Sequence, residues 1–67
     1  MSGPNPYGAP SPADVAHEAR IEAAALTLAL AHGATQRRAA FEELRRLVGE
    51  RSDTQRARMA WDKGLPI

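Results

Sequence analysis

The chain has no cysteine among its 67 residues. Disulfides and thiolate metal centres are therefore excluded, and the composition fits a reducing compartment. Lys63 is the only lysine among nine basic residues, which together with the abundant alanine points to a GC-rich coding background. Residues 1–10 have neither the basic start nor the apolar segment of a secretory signal. The apolar run Ala23–Ala31 falls well short of the ~20 residues that cross a bilayer, so no membrane role is expected. Strand alternation, internal repeats and a glycine-rich phosphate loop are also missing.

What the chain does have is that run, AAALTLALA, in which Thr27 is the one polar residue. A helix apolar nearly all round needs cover on more than one side. A chain below ~70–80 residues seldom supplies it from one core without a disulfide, a metal or oligomerisation. With the first excluded, the sequence predicts burial against another chain, either a second copy or a larger protein.

The expected fold class is all-α. It has a Pro/Gly-rich arm over residues 1–10 and one small helical domain over residues 11–67. The spacing Pro4, Pro6, Pro10, Pro12 favours polyproline II conformation, and the segment is expected to be an extended arm or a disordered, flexible tail, the tail being the favoured reading. In the sharper reading the arm lies on a neighbouring subunit with Tyr7 as its anchor. Helix 1 is expected from Pro12 to about His32. Ser11 is its N-cap, Asp14 the acidic member of a capping box, and Gly33 its C-terminal stop. Helix 2 is expected from about Gln36, capped by Thr35, to Val48, with Ala40, Phe41, Leu44, Leu47 and Val48 as its apolar face. Arg38–Glu42 and Glu42–Arg46 are its expected surface pairs. Helix 3 is expected from about Asp53 to Lys63, with Ser52 and Gln55 as a second capping box. Short loops make helices 1 and 2 an antiparallel hairpin with helix 3 packed across it.

Helix 1 carries two apolar stripes. Val15, Ala19, Ala23, Leu26 and Leu30 are expected to meet helix 2. Ile21, Ala25, Leu28 and His32 form the second stripe, which Trp61 and Leu65 cover if helix 3 lies over it, giving an ordinary small bundle, and which is the interface if helix 3 lies elsewhere. The expected protein interface is Tyr7, Ile21, Ala25, Leu28, Trp61 and Leu65. Charge is uneven: residues 35–67 hold seven arginines and Lys63 against five acids, whereas residues 1–34 hold Arg20 against three. This supports an alternative, a nucleic-acid regulator using Arg45, Arg46, Arg56 and Arg58. A helix-turn-helix register fails, because Gly49 in the turn puts Arg45 and Arg58 where small or apolar residues belong.

Asp14, His17 and Glu18 share one turn, a spacing that helical metal sites use, but Ile21 stands where a second histidine would be needed. They read as solvated charges at a helix start, and no metal, cofactor or small-molecule substrate is expected. Ser2, Ser11 and Ser52 lie in the arm or at caps, and none has the adjacent base of a nucleophile. The expectation is a non-enzymatic assembly or adaptor protein that binds itself or a larger protein. It is pictured as a phage or bacterial accessory or structural component in the cytoplasm or in a particle assembled there.

Overall fold

A computed structural model describes residues 4–64. It contains α1 (Pro12–Leu30), α2 (Gly33–Gly49) and α3 (Asp53–Asp62), and no strand among the described residues. The fold is all-α, with α1 and α2 paired as a hairpin.

The helix starts follow local chemistry. Ser11 Oγ accepts the Asp14 amide at 3.1 Å, and Pro12 occupies the first turn, where no amide partner is needed. Ser52 Oγ accepts the Gln55 amide at 3.0 Å in the same way. Neither capping box closes, however: the Asp14 carboxylate and the Gln55 amide are both drawn to Arg58.

The α1–α2 link differs from the expectation. α1 stops at Leu30 with Ala31 extended, and Gly33 at φ +80° opens α2 rather than closing α1. Thr35 lies inside α2 and is not its cap. The cap position is His32, whose backbone amide donates to Gln36 Oε1 at 3.0 Å. That side chain, one turn into α2, satisfies the amide of the cap residue, while the His32 side chain makes no cap bond to the first-turn amides.

The hairpin core is small. Ile21 and Ala24 of α1 pack with Leu47 of α2, Leu44 is partly buried against them, and Ala40 is buried nearby. Among the described apolar residues only Leu47 is close to fully covered, at 3% exposure. Neither stripe of α1 is buried as a unit: Ile21, Ala24 and, in part, Leu28 face α2, whereas Ala25 and His32 of the second stripe and all of Val15, Ala19, Ala23, Leu26 and Leu30 are exposed.

α3 does not lie across the hairpin. The extensive helix–helix contact is α1 with α2, and α3 is tied to the arm and to the first turns of α1. The molecule is accordingly elongated, 45 × 23 × 16 Å. Its radius of gyration is 14.3 Å, against about 11 Å for a compact domain of this length.

Candidate functional site

Two features stand out: a polar joint where the arm and α3 meet the hairpin, and apolar hairpin faces with no cover among the described residues. The joint is built from residues whose charge suits a surface. Glu18 holds Arg51 through two bonds of 2.8 and 2.9 Å. His17 Nε2 lies 2.6 Å from the Leu47 carbonyl. A carbonyl only accepts, so Nε2 carries the proton. Asp14 accepts from Ser52 Oγ at 3.1 Å and pairs with Arg58 at 3.5 Å. The expected solvated cluster of Asp14, His17 and Glu18 is therefore corrected. The three reach α2 or the segment that follows it, because one turn of α1 presents them on the Ile21 side.

The same joint closes α2. The last carbonyls of a helix have no partner within it. Here the Glu50 amide serves Arg46 and Leu47, the Arg51 amide serves Val48, and Arg56 Nη2 donates to Gly49 at 2.6 Å. Arg46 lies between Glu43 and Glu50, replacing both expected pairs of Glu42. The hydrogen bond and charge of Glu43, then those of Glu50, hold its pKa above the ordinary value.

Arg58 is the centre of the joint, buried at 6% exposure. Its guanidinium donates to the Gly8 carbonyl at 2.9 Å, to the Tyr7 carbonyl at 3.3 Å and to Gln55 Oε1. Asn5 completes the clasp, donating to the Arg58 carbonyl and to Asp62 at 2.9 Å each. The arm is thus held against α3 of its own chain and turns rather than running extended. Asn5–Gly8 forms a turn closed by a 3.1 Å bond, with Tyr7 N on Asn5 Oδ1 and Gly8 at φ +73°. Asn-Pro-x-Gly is the residue order a type I turn favours, a local signal that outweighs the proline spacing.

The predicted interface residues scatter. Ile21 is in the core, Tyr7 sits in the arm at 36% exposure, and Trp61 is half-buried on α3. Leu65 lies outside the described residues. Ile21, Ala25 and Leu28 share one side of α1 but differ in cover, Ile21 buried, Leu28 half-buried and Ala25 exposed. The arginines proposed for nucleic acid do not act together either. Arg58 is buried, Arg46 is paired and Arg56 caps α2, leaving Arg45 without a partner among the described residues.

Ala40, Leu44 and Leu47 lie in the hairpin as their spacing predicts, but Phe41 and Val48 and the α1 residues expected to meet them are exposed. Val15 is 55%, Leu26 58% and Leu30 73% exposed on the outer side of α1, and Phe41 is 53% exposed on the flank of α2. Leu28, Ala29, Ala34, Arg37, Arg38 and Phe41 line an open groove along one side of the hairpin. No group of metal-binding side chains occurs among the described residues, and no described helix is long and apolar enough to cross a membrane. Comparison with known proteins gave no matching family model, no matching curated protein and no matching solved structure.

Proposed function

We propose that this chain is a non-enzymatic assembly protein, acting by burying its exposed hairpin faces against another protein surface in the cytoplasm or in a particle assembled there. One observation carries the reading. Val15, Leu26, Leu30 and Phe41 stay in solvent on a fold whose buried apolar residues are Ile21, Ala24, Ala40 and Leu47. Apolar burial is worth ~25 cal/mol per Å², so a hairpin with so little core gains much of its stability by covering the rest. The polar joint adds support: it uses arginines that would otherwise mark a phosphate-binding face.

The test is site-specific photo-crosslinking in the cells that make the protein. A photoreactive residue at Leu26, Leu30 or Phe41 should give discrete protein adducts. The same residue at Asp53 or Lys63, away from the hairpin faces, should give none. Absence of adducts at all three hairpin positions would remove the reading.

A further inference from the structure

We propose that a second copy of this chain covers the Phe41 side of the hairpin, forming a two-fold dimer in which α1 of each copy lies on α2 of the other. This rests on the assembly reading above and names its partner.

The face is self-complementary in shape. On α2, Phe41 stands about 90° round the helix from the buried row Ala40–Leu44–Leu47. On α1, Ala25 and Ala29 are one turn apart and exposed, beside half-buried Leu28. The shared groove puts the Phe41 row and the Ala29 row on the same side of the hairpin. One half of that side is bulky and the other is flat. A two-fold axis parallel to the helices sets each ring on the partner's alanines, a close approach that only small side chains allow.

Charge selects this arrangement over its alternative. Glu22 lies along the α1 edge of the face, and Arg37, Arg38 and Arg45 lie on its α2 side. None of the four has an ion-pair or side-chain hydrogen-bond partner among the described residues. Stacking α2 on α2 would bring arginine edges together. Stacking α1 on α2 sets unlike edges together. Ile21 packs with Leu47 across the antiparallel hairpin, so Glu22 stands level with Arg45, and a parallel two-fold preserves that level. Each copy then offers Glu22 to the other's Arg45. The face is large enough: α2 runs about 26 Å at 1.5 Å per residue, and two helices side by side approach the scale of the ~800 Å² per partner in a standard interface.

The experiment is sedimentation velocity of the full chain from micromolar to millimolar concentration, with helicity checked by circular dichroism. The wild type should pass from monomer to dimer. Phe41→Ala should weaken dimerisation at least roughly tenfold. Ala29→Gln, at an exposed position in helix-favouring chemistry, is the second variant should Phe41→Ala not fold. Glu22→Arg and Arg45→Glu should each weaken self-association. An equimolar mixture of those two single variants should dimerise again, because both cross-pairs are then restored.

A folded wild type that stays monomeric throughout would overturn the dimer. So would self-association indifferent to Phe41→Ala and Ala29→Gln, or a mixture that fails to restore it. A monomer that still crosslinks at Phe41 to a different protein would sink the dimer and leave the assembly reading standing. Absence of all crosslinks would sink the reading itself.

Discussion

Arg58 joins the arm, α3 and α1 through a single guanidinium. Burial of that charge is tolerable because its donors are occupied by two carbonyls, Gln55 and Asp14. Removing one member of a buried, hydrogen-bonded pair leaves the others desolvated and unmatched. Arg58→Ala is expected to cost about 3 kcal/mol, measured by urea denaturation followed by circular dichroism and Trp61 fluorescence. Arg58→Lys should recover little, since an ammonium lacks the planar fork that reaches both carbonyls. An effect within error of wild type would show that the joint contributes nothing. In the sequence Arg58 was one arginine among several, and charge alone does not announce burial. What distinguished it lay some fifty residues away, in the Asn5–Gly8 turn whose carbonyls it binds.

At the scale of the elements, the helix starts were legible because their chemistry is local: Ser11 with Asp14, Ser52 with Gln55. The α1–α2 link was not. Gly33 fits either the end of one helix or the opening of the next, and the Gln36 side chain accepts from the His32 amide ahead of it. The orientation of α1 was not legible either. Its two stripes are similar in apolar content, so periodicity could not decide which meets α2. The polar residues decided it, since His17, Glu18 and Asp14 find partners only when the Ile21 stripe faces inward. Gly33 yields a prediction of its own. Nothing lies within 4 Å of where its Cβ would be, yet its φ is +80°. Gly33→Ala should therefore destabilise by about 1 kcal/mol from backbone conformation alone, read as a lowered thermal midpoint. A neutral or stabilising result would mean the link relaxes to another conformation.

Across the whole molecule, two kinds of cohesion divide the chain. The hairpin is held by apolar contact and the joint by directional polar bonds. Regions with few buried apolar contacts open at lower free energy than the core. Amide exchange should accordingly show the arm and α3 opening together, before the central turns of α1 and α2. Uniform protection through all three helices would show a single cooperative unit instead. Because the joint and the Phe41 side share no residues, Asn5→Ala should loosen the arm while leaving self-association intact.

The clasp on the arm grips the main chain. Arg58 takes carbonyls, which every residue carries, so position 7 is open to many side chains without loosening it. Asn5 has no such freedom, because its own amide makes three of the bonds. The arm is therefore specified by its shape more than by its spelling. Relatives of this chain would share the turn while differing in most of the letters around it.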